Sequence, residues 1–330
     1  MGLLSFIHEA RGKQALYVKQ KPSELEKLVE IAKIQSTEAS NAIEGIRTTN
    51  TRLKQLMSDK TIPHNRDEKE IAGYRDALNV VHESFAYIPL QVNYILQLHG
   101  MLLSQTDTGY GGHFKNVQNY ISATDNTGNC ITLFTPLSPF ETPLAMENLC
   151  NEYNRIIGEG KIDPLLVIPI FIHDFLCIHP FIDGNGRMSR LLTTLLLYRN
   201  GYDVGRYISL EAKIAKNKDA YYDALYASQQ NWHEEKDDPV PFIKYLLGTI
   251  VAAYKDLENR VSLVSDAESS EDIVRNAVQN MIGKFTKSDL RMLIPSVGEK
   301  TLELYVKRLC DKGEIEKHGT GRSTYYVRLK

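Results

Sequence analysis

The sequence predicts a mainly α-helical protein with one β-hairpin and a small C-terminal α+β module. Three observations lead there. Most segments repeat apolar residues at helical spacing. Residues 109–139 abandon that spacing for a breaker cluster followed by alternation. Residues 271–330 read as three short helices and then two short strands.

The elements follow in order. Ser23-Glu24-Leu25-Glu26 is a capping-box pattern that opens a helix, with Leu25, Leu28, Val29 and Ala32 on one face and Gly45 as its stop. Residues 67–85 and 90–103 predict two further helices. Gly109-Tyr110-Gly111-Gly112 breaks the chain. Val117, Asn119 and Ile121 then alternate with polar neighbours, residues 125–129 turn, and Ile131, Leu133 and Phe134 return. This is hairpin spacing. Helices are predicted over 141–157, 164–178, 185–199, 219–230 and 242–261, with Pro164 and Pro239 at their starts. A polar junction, 262–270, separates them from the last module. Its helices are expected at 271–282, 287–293 and 299–311, and its strands at 315–318 and 324–329. The predicted division is an N-terminal helical region (1–88), a central domain (89–262) and the C-terminal module (271–330).

At 330 residues, with a net charge of −2 and 24% charged side chains, the chain has ample core and no global field for nucleic acid or membrane. Four scattered cysteines show no metal-ligand spacing and read as reduced thiols of a cytoplasmic protein. Its longest apolar stretch, 165–178, is interrupted by His173 and Asp174 and is too short for a bilayer.

The chemistry concentrates in His179-Pro180-Phe181-Ile182-Asp183-Gly184-Asn185-Gly186-Arg187-Met188-Ser189-Arg190. Gly184 and Gly186 permit a tight turn at the start of a helix, where free N–H groups and the helix dipole attract an anion. Arg187 and Arg190, three residues apart, can fork onto phosphate oxygens. Asp183 can hold a divalent cation, and His179 can accept a proton near neutral pH. Buried charges in this density make poor core filler, since each needs a partner.

This run resembles the Fic motif, H-P-F-x-D/E-G-N-G-R-x-x-R, at every specified position. The resemblance covers roughly residues 20–250. It implies a helical enzyme that moves AMP from ATP onto a Ser, Thr or Tyr hydroxyl of a target protein and of itself. His179 would then be the general base and Asp183 the Mg²⁺ (or Mn²⁺) ligand. Nucleotide contacts would come from Phe181, Gly184, Asn185, Gly186, Arg187, Met188, Ser189, Arg190 and Tyr222. The hairpin would be a flap holding the target through Val117, Asn119 and Ile121. Trp232 is a further candidate for the base, and His173 reads as a hydrogen-bonded core histidine. One departure from the family is Gly112-His113-Phe114-Lys115, where many members carry Arg in place of Lys115. Ser40-Asn41-Ala42-Ile43-Glu44-Gly45 resembles the family's inhibitory motif and implies a pairing of Glu44 with Arg190. Gly186, where phosphorylating relatives carry Lys, favours AMP transfer.

The C-terminal order resembles a winged helix. Its 12 basic and 8 acidic side chains include Lys300, Lys307, Arg308 and Lys312 on the third helix and Arg322 at the wing tip. A competing reading is therefore a DNA-binding regulator whose Fic-like domain senses nucleotide; acidic Glu299 and Glu303 count against it. Homodimer formation is left open.

Overall fold

The computed structural model describes residues 2–20, 22–124, 129–265, 269–281 and 283–329. It is mostly helical. The N-terminal helices are α1 (Leu3–Gln20), α2 (Pro22–Ile43), α3 (Asn50–Met57), α4 (Arg66–Ser84) and α5 (Val92–Leu102). A hairpin of β1 (Ile121–Thr124) and β2 (Cys130–Phe134) follows. Next come α6 (Thr142–Glu159), α7 (Pro164–Ile178), α8 (Asn185–Arg199), α9 (Leu210–Lys216), α10 (Lys218–Ser228) and α11 (Val240–Ser265). The last module holds α12 (Ser270–Gln279), β3 (Lys284–Phe285), α13 (Lys287–Leu293), α14 (Glu299–Asp311), β4 (Ile315–His318) and β5 (Tyr325–Arg328).

The chain divides into two compact units: residues 1–11 with 32–253, and residues 12–31 with 254–330. In the first, α8 is the central helix. Leu191, Leu192, Leu195 and Leu196 are all buried, and α4, α5 and α7 pack around it. Asp163 caps α7 through its side chain, which accepts from the Leu165 N–H (2.9 Å), and Pro164 opens it. Helix α7 is apolar almost all round, as a helix enclosed by others must be. In the second unit, Val274, Phe285, Leu290, Leu302, Leu309 and Tyr326 share a core, and the sheet order is β3-β5-β4.

Several elements escaped the sequence pattern. Helices α1, α3 and α9 and the two-residue strand β3 were not expected. Helix α1 has a weak apolar stripe, and α3 and α9 are only two turns long. The hairpin strand is shorter than its alternation suggests: Val117 and Asn119 precede it. Its turn, residues 125–128, lies outside the described residues, as do the side chains of 20–24, including Ser23. Register runs Ser122 to Thr132, Ala123 to Ile131 and Thr124 to Cys130, with an irregularity between Ile121 and Ser122. Among the described residues, no helix is long and apolar enough to cross a membrane.

Candidate active site

Helix α7 ends at His179 in a left-handed conformation (φ 51°, ψ 62°), and α8 starts at Gly184, also left-handed (φ 83°, ψ 5°). The six-residue loop turns the chain back between two buried helices. Left-handed backbone suits Gly184 but is uncommon for His179. Asn185 braces the loop: its Oδ1 accepts from the Phe181 N–H (2.9 Å), and its Nδ2 donates to the Phe181 carbonyl (2.7 Å). Gly184 brings no side chain to cap α8, so the helix's first N–H groups remain available to an anion.

His179, Gly184, Asn185, Gly186, Arg187 and Arg190 line a cavity of about 660 Å³ together with Glu44, Lys218, Tyr221 and Tyr222. Tyr120, Ile121, Ser122, Ala123 and Leu133 of the hairpin form another part of its wall. His179 Nδ1 lies 3.1 Å from the Leu176 carbonyl and so carries the hydrogen, leaving Nε2 as the acceptor. Burial pulls the imidazole pKa down to about 4, with Lys115 pushing the same way and Glu44 opposing. The ring is therefore neutral at ordinary pH, with Nε2 free to accept a proton.

Glu44 reaches into this cavity from the end of α2. Its Oε1 accepts from Arg190 Nη2 at 2.8 Å. Arg190 is also bound to Ser40, with Nε to the hydroxyl (2.8 Å) and Nη2 to the carbonyl (2.9 Å). A Cβ added at Gly186 would collide with Glu44 Oε1, so the carboxylate lies directly against the loop where an anion would sit.

Arg187 is engaged as well. It is buried, with Nη1 2.6 Å from Glu70 Oε2 and Nη2 3.4 Å from Asp183 Oδ1. Glu70 also accepts from Arg66 Nε (2.7 Å), and Arg66 reaches Asp183 at 3.3 Å. The sequence reading missed Glu70, although the i,i+4 pair Arg66–Glu70 was visible. It also missed His99, which stacks on Phe181 (3.7 Å between centroids, 12°). His99 Nε2 donates to the Asp183 carbonyl (3.0 Å), and Nδ1 accepts from the Gly112 N–H (3.1 Å).

Five expected contact residues have their side chains engaged elsewhere. Phe181 and Met188 are fully buried, and the Ser189 hydroxyl donates back to the Gly186 carbonyl (2.7 Å). None of the three lines the cavity. Phe181 and Met188 project into the core, and the Ser189 hydroxyl lies between the Gly186 carbonyl and Tyr221. Asn119 does not present its side chain to a target: both ends of its amide are taken by Lys115 and by the main chain of the loop. Trp232 donates from Nε1 to Asp174 (2.8 Å) and packs edge-on against Phe134, outside the cavity. Tyr222, by contrast, is part of the wall and 41% exposed, and Val117 is exposed. His173 is buried, with Nε2 3.6 Å from Cys177 Sγ and Nδ1 facing Asp174 and Asp237 at 3.5 and 3.8 Å.

A profile of the Fic/DOC family matches residues 89–197 and so spans this loop and both flanking helices. The chain carries a Fic domain. The Fic domain and its surroundings are similar to the protein adenylyltransferase Fic of Drosophila yakuba, at 26% identity over 277 residues. That match covers 81% of this chain and 49% of the relative, so the chain spans about half the length of the curated relatives it matches. Protein adenylyltransferase fic-1 of Caenorhabditis elegans is 29% identical over 154 residues, covering 44% of this chain and 28% of that one. The fold is shared with a Fic family protein from Desulfovibrio desulfuricans G20 (TM-score 0.64, 20% identity, 99% and 94% of the two chains). It is also shared with a Fic domain containing signaling protein from Bacteroides thetaiotaomicron VPI-5482 (TM-score 0.65, 24% identity, 78% and 97%).

Outside the Fic domain, several basic residues of the C-terminal unit are paired with carboxylates. Arg308 and Lys312 both pair with Glu271 (3.3 and 2.7 Å), Lys287 with Glu303 (2.9 Å), and Arg291 with Glu299 (2.8 Å). The Arg322 side chain lies outside the described residues.

Proposed function

We propose that this Fic domain transfers AMP from ATP to a hydroxyl side chain of a target protein, and of the chain itself, and that Glu44 holds it inactive. One observation carries the reading: a neutral His179 and the glycine loop share a nucleotide-sized cavity in which the Glu44 carboxylate lies on the loop.

Nδ1–H of His179, held by the Leu176 carbonyl, aims Nε2 at the acceptor. Nε2 takes the proton of a Ser, Thr or Tyr hydroxyl, whose oxygen bonds to the α-phosphorus of ATP. The bond from that phosphorus to the bridging oxygen breaks, and pyrophosphate leaves. The N–H groups at the start of α8 receive phosphate oxygens. Arg190, once released by Glu44, forks onto the outer phosphates. Arg187 stays paired to Glu70 and supplies a fixed positive charge alongside. Tyr222 and Lys218, whose Nζ lies 5.5 Å from the ring centroid, offer a wall to the base.

Asp183 suits a divalent cation such as Mg²⁺ or Mn²⁺. It is a partly exposed carboxylate on the cavity, and cations of this kind take most of their other ligands from phosphate and water. When bound, such an ion neutralises charge on the departing pyrophosphate. The hairpin is two-stranded, so each strand has an unpaired edge that an extended target segment can join.

With Glu44 in place, like charge and volume exclude the outer phosphates. Replacing Glu44 by Gly should raise labelling by α-labelled ATP about tenfold or more, since about 1.4 kcal/mol corresponds to tenfold. Adding His179→Ala should remove the labelling. Equal labelling of E44G and its parent sinks the inhibitory role; equal labelling with and without His179 sinks the mechanism. The helix and strand order of the C-terminal module supports a winged-helix-like reading, and its paired cations favour a protein contact over DNA.

A further inference from the structure

The loop that carries His179 has a problem its own sequence does not solve. Helix α7 stops at Ile178, so its last carbonyls lose their intrahelical partners. His179 adds a left-handed backbone that favours glycine. Four consecutive carbonyls, from Ile178 to Phe181, lie in this turn; Asn185 reaches that of Phe181, and the other three need donors from elsewhere in the chain.

One pentapeptide, residues 115–119, satisfies all four. Lys115 Nζ donates to the Ile178 carbonyl (3.0 Å), and the Lys115 main-chain N–H donates to the Pro180 carbonyl (2.8 Å). Asn119 Nδ2 donates to the carbonyls of His179 (3.2 Å) and Phe181 (2.9 Å). The two side chains are tied together by Lys115 Nζ donating to Asn119 Oδ1 (2.9 Å). Lys115 is 3% exposed, an unusual place for an ammonium. Burial lowers its pKa to about 8, and its partners are neutral oxygens. The same pentapeptide leads within two residues into β1, the hairpin strand that borders the cavity.

We infer that Lys115 and Asn119 are positioning residues that hold His179 in its reactive orientation and fix the base of the hairpin to the catalytic loop. The inference rests on the AMP-transfer reading for its kinetic consequence, though the geometry of the loop can be read independently. It changes the meaning of both positions. Lys115 stands where the family often has Arg, and it works here as a point donor into a single carbonyl. Asn119 is spent on the loop, which leaves main-chain edge groups to recognise the target.

The test uses the full chain in the E44G background. Asn119→Asp preserves shape and the bond from Lys115 but cannot donate to the two carbonyls. Lys115→Met removes the ammonium, and Lys115→Arg restores a cation. Three quantities are compared: kcat and KM for ATP by α-labelled transfer, the His179 imidazole signals in ¹⁵N-histidine NMR, and Tm. Misplacement of a reacting group by about 1 Å costs roughly 100-fold. N119D and K115M should therefore lower kcat by roughly 10- to 100-fold with KM for ATP changed less than about threefold. They should also move the His179 imidazole signals, and K115R should recover more kcat than K115M. Parent-like kcat with unmoved His179 signals overturns the inference, as does a loss confined to KM. If N119D fails to fold, the K115M and K115R pair decides by the same measurements. If the E44G parent itself transfers no AMP, the AMP-transfer reading falls. The His179 signals alone then decide whether the loop is held from residues 115–119.

Discussion

At the scale of single residues, the site is set by which atoms are already engaged. His179 reaches its state through one hydrogen bond and burial. The Leu176 carbonyl fixes the tautomer, and loss of water lowers the pKa to about 4. The base is therefore already neutral at pH values where an exposed histidine would be half protonated. The kcat/KM of E44G should stay level from about pH 7.5 down to about pH 5.5, with any acid limb due to His179 below about pH 5. A limb centred near 6.5 in the pH–rate profile would show that the ring is not desolvated as described. The arginines teach the complementary lesson. Arg190 is held by Glu44 and Ser40, and Arg187 by Glu70. The motif's spacing shows two guanidiniums on one helix face, but only their partners tell which one can be released.

At the scale of elements, α2 is the piece to watch. Its buried face is unusually polar: Ser36, Thr37, Ser40 and Asn41 are all enclosed. Ser36 donates to the buried Glu211 (2.6 Å), which also accepts from Ser209 (3.1 Å) and Tyr74 (3.2 Å). The Thr37 hydroxyl and Asn41 Oδ1 have no hydrogen-bond partner among the described residues. A polar face of this kind loses less on transfer to water than an apolar one of equal area. Such a helix is suited to sit firmly without being irreversibly buried. Ser36→Ala removes one hydrogen bond to a charged group, worth about 1.5–3 kcal/mol. It should raise labelling of the otherwise unaltered chain several-fold and narrow the ratio of E44G to parent labelling. An unchanged ratio, with the chain folded, would mean that Glu44 holds its place without help from this seat. Helices α7 and α8 were legible because each holds a long, largely apolar run with a clear start, Asp163-Pro164 for α7 and the glycine loop for α8. Helices α1, α3 and α9 were not, since two turns or a weak stripe leave tertiary packing to decide. Strand β3 exists only because β5 pairs with it.

At the scale of the whole molecule, two neutral histidines, His82 and His99, are sealed in the fold, and a third, His179, lines the cavity. Burial holds His82 at about 3 and both His99 and His179 at about 4. In the unfolded chain each titrates near 6.5, so from about 6.5 down to about 4 the unfolded state binds more protons than the native state. Stability contributed by these groups is complete above that window and is lost as the pH falls through it. Calorimetric Tm should therefore drop steadily between about pH 7 and pH 5; a flat Tm over that range would contradict the burial of these rings. The sequence by itself determined what depends on neighbours along the chain. The twelve-residue run from His179 to Arg190 holds its base, loop and arginines at fixed separations, and Ser40 and Glu44 lie one helical turn apart. Local backbone geometry alone makes such patterns chemically readable. Only the tertiary structure decided the partners. The motif resemblance had already pointed Glu44 to Arg190; that Asp183 meets Arg66 across 117 positions, and that residues 115–119 close over the carbonyls of residues 178–181, appears only in the fold. Hydrogen bonds and ion pairs act over a few ångströms of space irrespective of separation along the chain. Their endpoints are fixed when the helices pack, and no spacing in the sequence records them.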